Sequence, residues 1–255
     1  MCFEFDARPP DLPADLALPP VAGGAAAEPL ELMAADGNRF SAALAVSPDP
    51  RAIAVVVLPD VRGLYRFYVE LAERFAQAGH SAIAIDYFGR TAGLGSRGED
   101  FGYMEHVAQT SVEGVQADAA AAIDALRERA GARRVATVGF CFGGTHSFLA
   151  AQNADLGLDR AVGFYGSLTE RPIRPSPIPT AVDTSCPVLG LFGGADENIP
   201  QSQIDEYAKA LGEAGVEHEL ITYPGAPHSF FDRKYDEFAE ACEDAWRRAL
   251  AFLGA

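Results

Sequence analysis

Short apolar runs alternate with helical patterns along most of this sequence, and this alternation limits the folds that the chain can adopt. The apolar runs are rich in valine, isoleucine and alanine, so they predict strands over 53–58, 81–86, 134–139, 160–164, 187–192 and 217–222. Residues with helical periodicity predict helices over 66–78, 107–130, 143–153, 201–214 and 235–253. Strands that alternate with helices favour parallel pairing. The sequence therefore predicts an α/β fold, with a mostly parallel central sheet and helices on both faces.

The N-terminal part of the chain lacks this alternation. Residues 1–29 are rich in proline, alanine and glycine, which predicts an arm along the surface or a partly ordered tail. Two short apolar runs, 30–34 and 40–46, flank the turn signal Asp-Gly-Asn at 36–38, and they predict an antiparallel hairpin. A chain of 255 residues is long enough to bury a sizeable core in one domain. We therefore predict an arm followed by a single domain over 30–255.

The chain is strongly acidic, with 36 Asp and Glu against 20 Lys and Arg and a formal net charge of −16. Such a surface repels phosphate backbones and anionic lipids, which argues against nucleic acid and membrane partners. It also slows the approach of an anionic substrate unless basic side chains lie at the site. No stretch approaches the roughly 18 apolar residues of a membrane span, and the N-terminus lacks a signal-peptide pattern, so we predict a cytoplasmic protein.

The four cysteines are widely separated: Cys2, Cys141, Cys186 and Cys242. They form no CxxC pair and lack the spacing of a disulfide scaffold or a zinc site, which predicts a reducing compartment and no bound metal. Cys186 precedes a proline at a strand start, and Cys242 lies beside glutamates in a helix. We therefore predict structural roles for both of them, and also for Cys2.

Cys141 is the centre of the segment 138–144, Val-Gly-Phe-Cys-Phe-Gly-Gly, between a predicted strand and a predicted helix. Glycines two positions before and after it, Gly139 and Gly143, are typical of a nucleophile elbow, in which the strand turns sharply into the helix. The turn points the side chain out of the sheet, and the helix N-terminus favours a thiolate or an oxyanion there. A buried, unreactive cysteine in a tight turn is the alternative interpretation.

A thiol nucleophile needs a histidine that accepts its proton and a carboxylate that orients the histidine. In α/β-hydrolases the acid and then the histidine follow the nucleophile along the chain. We predict Asp196, which follows a predicted strand, as the acid, and His228, in a turn-rich loop after the next strand, as the base. A helix N-cap is the alternative role for Asp196. Surface or core roles are predicted for the other histidines, His80, His106, His146 and His218.

Two main-chain N–H groups are expected to form an oxyanion hole. One belongs to Phe142, which follows the elbow residue, and the other to Val61, in the loop after the first parallel strand. Ligands of such sheets bind beyond the carboxyl ends of the strands. Two long connections, 89–106 and 167–186, interrupt the alternation and predict lids or binding loops, with a tolerated surface excursion as the alternative.

With these residues in place, the chain resembles the dienelactone hydrolase family, whose members are cysteine-dependent and have the α/β-hydrolase fold. The resemblance covers about 30–253 and includes 58–63 (Leu-Pro-Asp-Val-Arg-Gly), 85–90 (Ile-Asp-Tyr-Phe-Gly-Arg) and 160–166 (Arg-Ala-Val-Gly-Phe-Tyr-Gly). It implies attack by Cys141 on an ester carbonyl, a thioester intermediate, and no metal or organic cofactor.

The resemblance also implies residues that hold the thiol and the substrate. In the best-known members a glutamate of the first loop hydrogen-bonds the resting thiol, and Asp60 occupies that position here. Two arginines of those members bind the substrate carboxylate. Arg90 matches the first, and Arg233 lies one residue beyond the second, where this chain has Asp232. The alternatives are a solvated loop carboxylate for Asp60 and a surface ion pair for Arg90. Further candidates for substrate contacts are Tyr165 and Ser229.

We therefore predict a hydrolase of small lactones or enol-lactones that bear a carboxylate, of the carboxymethylenebutenolide type. A carboxylesterase that acts on neutral short-chain esters is the enzymatic alternative, favoured by the absence of an arginine at position 232. A non-catalytic member of the fold, with Cys141 as a redox-sensing thiol, is a third possibility. The sequence leaves both a monomer and a homodimer open.

Overall fold

The computed structural model describes residues 7–17, 26–48, 53–95, 97–171, 173–232 and 234–254. Within these residues the strands are β1 (Glu28–Met33), β2 (Arg39–Ala45), β3 (Ile53–Leu58), β4 (Ala82–Ile85), β5 (Arg134–Phe140), β6 (Arg160–Phe164), β7 (Val188–Gly193) and β8 (His218–Tyr223). The α-helices are α1 (Arg66–Gln77), α2 (Gly89–Ala92), α3 (Tyr103–Val107), α4 (Val112–Ala130), α5 (Phe142–Ala151), α6 (Gln201–Glu213) and α7 (Ala239–Leu253).

Among the described residues, one sheet contains the eight strands in the order β1-β2-β4-β3-β5-β6-β7-β8. β1 and β2 form the predicted antiparallel hairpin, and β2 pairs antiparallel with β4. The other pairs are all parallel. β3 is buried along its whole length, which explains its uninterrupted run of apolar residues. The predicted α/β fold with a mostly parallel sheet is confirmed.

Aromatic contacts join the helices that cover the sheet. Phe75 of α1 contacts Trp246 of α7, with ring centroids 5.1 Å apart. Phe148 of α5 contacts Tyr207 of α6, with ring centroids 5.3 Å apart. Every residue of α5 is buried, so this helix lies in the interior, where it packs on β5 and β6. No helix within the described ranges is long and apolar enough to cross a membrane.

Two helices begin later than predicted. α4 begins at Val112 and not at residue 107, because Ser111 has an extended backbone and its Oγ accepts a hydrogen bond from Gly114 N at 3.1 Å. The residues before this cap form the separate short helix α3. α7 begins at Ala239, after a series of turns. Helix ends depend on such local bonds, which hydrophobic periodicity does not reveal.

The described part of the predicted arm packs against α7. Trp246 Nε1 donates a hydrogen bond to Pro10 O at 3.2 Å. The Arg247 guanidinium forms a salt bridge with Asp15 at 2.8 Å. This part of the arm therefore lies along the surface of the last helix. Other parts of the arm, at 1–6 and 18–25, lie outside the described residues.

Candidate active site

Cys141 lies between the end of β5 and the first residue of α5, where the glycine pattern places it. Its backbone has φ 53° and ψ −108°, a conformation that residues with side chains rarely adopt. The Cys141 N–H donates to Phe164 O at 3.0 Å, which holds the turn against β6. Because Cys141 is partly exposed, the strained turn presents its thiol at the carboxyl end of the sheet.

Gly139 and Gly143 allow the close contacts on which this turn depends. A Cβ at Gly139 would lie 2.0 Å from Gly143 O, and a Cβ at Gly143 would lie 2.0 Å from Leu58 O. Both distances are far below van der Waals contact, and both involve backbone atoms that cannot rotate away. The start of α5 therefore packs directly onto the end of β3.

We expect Gly143→Ala to lower the free energy of unfolding by at least about 3 kcal/mol, or to prevent soluble expression, because the added methyl group displaces α5 from β3. Urea unfolding followed by circular dichroism measures the change. Gly102→Ala is the matched control, because φ there is −73° and a Cβ would meet no atom within 4 Å. An unfolding midpoint for Gly143→Ala equal to that of the control would contradict the close packing of this turn.

Asp196 and His228 lie in the loops after β7 and β8, and their side chains meet. The distance from Asp196 Oδ2 to His228 Nδ1 is 2.5 Å. The Asp196 side chain is 1% exposed, and its Oδ1 accepts a hydrogen bond from Asn198 N at 3.0 Å. The N-cap of α6 is Pro200, so Asp196 does not have the alternative capping role. Since the Cys141 side chain hydrogen-bonds to His228, the structure brings the three predicted residues together.

Neighbouring charges set the protonation state of His228. Burial by itself lowers the pKa of His228, but hydrogen bonds with Asp196 and Cys141 and their negative charges raise it to about 10. Burial raises the pKa of Asp196, but the bond and the charge of His228 lower it below its usual value. His228 is therefore an imidazolium at neutral pH, paired with an ionised Asp196. A protonated His228 beside Cys141 can give a proton to the leaving group of an ester.

Strained backbone is concentrated at this site. The non-glycine residues with positive φ in the described part of the chain are Cys141 at 53°, Tyr165 at 39° and Ser229 at 59°. The Tyr165 ring lies 5.2 Å from the His228 ring, and Ser229 follows His228 in the chain. Such strain persists where the surrounding structure enforces it, commonly at functional sites. Tyr165 and Ser229 are fully buried, and within the described residues their side-chain oxygens have no hydrogen-bond partner. Their contacts with substrate stay a prediction.

The predicted oxyanion donors lie on adjacent segments. Phe142 is the first residue of α5, so its N–H has no partner within the helix. Val61 lies in the loop after β3. That loop touches the helix start, because a Cβ at Gly143 would lie 2.4 Å from Pro59 O. The helix N-terminus and its free N–H groups favour negative charge on a carbonyl oxygen held between these segments.

Asp60 does not form the hydrogen bond with the resting thiol that the family resemblance implies. It is fully buried, and its Oδ2 lies 2.8 Å from Arg62 Nη2 in a salt bridge. Tyr68 OH donates to the same oxygen at 2.7 Å, and Arg62 N donates to Oδ1 at 2.8 Å. The carboxylate is therefore bonded within its own loop and to α1. Among the described residues, the hydrogen-bond partner of the Cys141 thiol is His228 and not Asp60.

Arg90 also differs from its predicted role. Its Nη1 donates to Asp118 at 3.0 Å, and its Nη2 lies 2.8 Å from Asp36 and 3.1 Å from Gly114 O. These acceptors hold the guanidinium against α4 and the β1–β2 turn. The structure therefore supports the surface ion pair over the substrate contact. The second predicted arginine, Arg233, lies outside the described residues.

A different arginine, Arg174, lies near the elbow, and the sequence analysis did not identify it. Its Cζ is 5.5 Å from the centroid of the Phe142 ring. Arg174 belongs to the connection 167–186, which its length and its prolines marked as a candidate binding loop. The acidic surface supplies the signal that could have located it, because an anionic substrate would need a basic side chain near the thiol.

The chain matches a known family over most of its length. The family model described as "Dienelactone hydrolase family" matches residues 40–255. The chain belongs to the dienelactone hydrolase family. A "Putative carboxymethylenebutenolidase" of Escherichia coli (strain K12) is 32% identical to it over 210 residues, which are 78% of this chain and 75% of that protein. A "Probable 2-oxo-3-(5-oxofuran-2-ylidene)propanoate lactonase" of Bradyrhizobium sp is 30% identical over 217 residues, which are 80% and 84% of the two chains.

A solved structure agrees with this assignment to the dienelactone hydrolase family. The crystal structure of a "Putative Dienelactone Hydrolase" from Klebsiella pneumoniae has a TM-score of 0.76 and 30% sequence identity, and the match covers 89% of this chain and 98% of that chain. The protein is therefore a hydrolase that acts on ester or lactone bonds of small molecules. The candidate place for this reaction is the elbow, because Cys141 is partly exposed there, His228 hydrogen-bonds to it, and α5 begins at the next residue.

Proposed function

We propose that this dienelactone hydrolase family member cleaves small lactones or esters with Cys141 as the nucleophile, through a thioester acyl-enzyme. The observation that carries this proposal is the hydrogen-bonded series of Cys141, His228 and Asp196 at a strained strand-to-helix turn. The substrate is a lactone of the dienelactone, or carboxymethylenebutenolide, type. The names of the relatives support this choice.

The proposed reaction has two steps. In the first, the Cys141 thiolate attacks the carbonyl carbon, and the N–H groups of Phe142 and Val61 stabilise the oxyanion. Collapse breaks the bond to the alcohol or enol oxygen, which takes a proton from His228. In the second step, water attacks the thioester while His228 accepts one of its protons. Collapse of the second oxyanion releases the carboxylic acid and restores the thiolate beside the imidazolium, which Asp196 orients throughout.

Two other functions compete with this proposal. The ion pairs of Arg90 favour a carboxylesterase that acts on neutral short-chain esters, because they engage a guanidinium that was expected to bind a carboxylate. A redox-sensing thiol without turnover is the third candidate. The bond between His228 and Asp196 argues against it, because a sensor has no need of an acid that orients a base.

We expect a short p-nitrophenyl ester and a carboxylate-bearing dienelactone each to leave an acyl group on Cys141 when turnover is quenched with acid. Mass spectrometry of the Cys141 peptide measures the added mass, and hydroxylamine should remove it because it cleaves thioesters. With the p-nitrophenyl ester, whose leaving group needs no proton, His228→Gln should raise the trapped fraction, since it slows the attack of water on the thioester. Cys242 serves as the internal control: it is buried, and burial raises its pKa to about 12. Turnover without an acyl adduct on Cys141, in both the wild type and His228→Gln, would overturn the proposal.

A further inference from the structure

The loop between β6 and β7 is fastened on both sides of Arg174. The Arg171 N–H donates to Arg174 O at 2.9 Å, and the Arg174 N–H donates to Arg171 O at 3.0 Å. Ser176 Oγ donates to Leu168 O at 2.6 Å, and Ser176 N donates to Glu170 Oε2 at 2.7 Å. These bonds fix the backbone from which the Arg174 side chain extends.

Arg174 is a partly buried cation without a carboxylate partner among the described residues. Its Nε is inaccessible to solvent and has no hydrogen-bond partner in the described part of the chain. Two more deeply buried arginines are each paired at 2.8 Å, Arg62 with Asp60 and Arg97 with Asp86. A guanidinium removed from water is stabilised by a carboxylate that accepts its N–H groups. The partly buried guanidinium of Arg174 therefore favours an anionic partner that accepts its N–H groups.

Arg174 also lies beside the residue that follows Cys141. Its Cζ is 5.5 Å from the centroid of the Phe142 ring, and Phe142 follows Cys141 in the chain. Burial lowers the pKa of Arg174, and negative charge on Cys141 raises it, so the two groups interact electrostatically. His146 contacts the same aromatic ring at 4.4 Å. Burial and the charge of Arg174 lower the pKa of His146 to about 3, so His146 stays neutral and adds no charge.

We propose that Arg174 binds the carboxylate of an anionic lactone or ester and so directs the acyl carbon of the substrate toward Cys141. This inference rests on the proposed function and names its substrate class, small esters with a carboxylate close to the scissile bond. A chain with a net charge of −16 repels anions, so a local cation is needed to hold such a substrate. A guanidinium presents paired N–H donors that match the two oxygens of a carboxylate.

Two alkylating reagents of nearly equal size test this anion site without any need for turnover. Iodoacetate and iodoacetamide both form a thioether when the Cys141 thiolate displaces iodide, and iodoacetate alone is charged. We expect Arg174→Gln to lower the ratio of the iodoacetate rate to the iodoacetamide rate at Cys141 by about tenfold. Arg171→Gln is the matched control, because it removes the same charge from an exposed position of the same loop. It should leave the ratio within about twofold of the wild-type value.

A pair of aryl esters, one with a free carboxylate and one with the corresponding methyl amide, tests the same site during hydrolysis. We expect Arg174→Gln to lower kcat/KM for the anionic ester about 10- to 100-fold relative to the neutral ester, chiefly through KM. Arg174→Lys keeps the charge but loses the paired donors, so its ratio should lie between those of the wild type and Arg174→Gln. Thermal unfolding of each variant shows whether it is folded.

If Arg174→Gln lowers the rates with the charged and the neutral reagents equally, this role is overturned, because Arg174 would then act on the thiolate and not on the substrate. Ratios unchanged by Arg174→Gln would overturn it as well. If the wild type hydrolyses no ester but its alkylation ratio depends on Arg174, the proposed function is wrong and the anion site remains. If Cys141 forms the acyl adduct and both ratios are independent of Arg174, the proposed function stands and only the role proposed for Arg174 is wrong.

Discussion

We expect Cys141→Ala to lower kcat/KM at least about 10⁴-fold for every ester and lactone that the wild type hydrolyses. Alanine removes the sulfur that forms the thioester, and no water molecule held in its place is as strong a nucleophile as a thiolate. The oxyanion donors and the substrate contacts remain, so a small residual rate above the uncatalysed reaction is expected. Initial rates with the p-nitrophenyl ester, measured at several enzyme concentrations, give this ratio.

The fold should tolerate this change. Alanine keeps the Cβ, so the strain at φ 53° is the same in both proteins, and the unfolding midpoint should stay close to that of the wild type. Cys186→Ala is the matched control, because Cys186 is buried and burial raises its pKa to about 11. That variant should retain most of the activity. A Cys141→Ala protein with more than about a hundredth of wild-type activity would show that another group attacks the ester.

Much of the fold could be predicted from the sequence because the central strands are buried on both faces. β3 and β6 have the predicted bounds. In each of them the apolar run ends where the strand ends. The start of α4 could not be predicted in the same way. Residues 103–107 also favour a helix, and a hydrogen bond to Ser111 Oγ separates the two helices.

The three residues of the proposed triad could be located from the sequence because each has a local signal. Cys141 lies between two glycines, and Asp196 and His228 lie in turn-rich loops directly after strands, in the order that α/β-hydrolases have. Strand ends in a parallel sheet meet at one edge, so the topology brings these residues together.

The residues around the triad could not be predicted because their partners are set by packing and not by local pattern. Asp60 bonds to Tyr68 in the next helix, α1, and Arg90 bonds to Asp118, 28 positions later in the chain. Arg174 lies in a loop without periodicity, and its approach to the elbow depends on how that loop folds back over α5. The ion pairs of Arg90 and the position of Arg174 beside Phe142 are therefore visible only in the folded chain.

We expect Asp196→Asn to lower kcat about 10²- to 10⁴-fold and to move the alkaline limb of the pH profile of kcat/KM to lower pH. Hydrogen bonds with Asp196 and Cys141 raise the pKa of His228 to about 10, so the wild-type imidazolium can protonate the leaving group until the pH rises through that value. The asparagine amide removes the negative charge and no longer favours the charged ring. The pKa of His228 therefore falls, and the imidazolium is lost at a lower pH.

The measurement is kcat/KM between about pH 6 and pH 11 with an ester that is stable over that range. Glu197→Gln is the matched control, because it removes the neighbouring carboxylate, which is exposed and has no hydrogen bond to His228 in the described part of the chain. Its pH profile should overlay that of the wild type. A slower Asp196→Asn enzyme with an unshifted alkaline limb would show that Asp196 positions the loop without acting on the charge of His228. The carboxylate matters to the proposed reaction through the proton that it keeps on the imidazole.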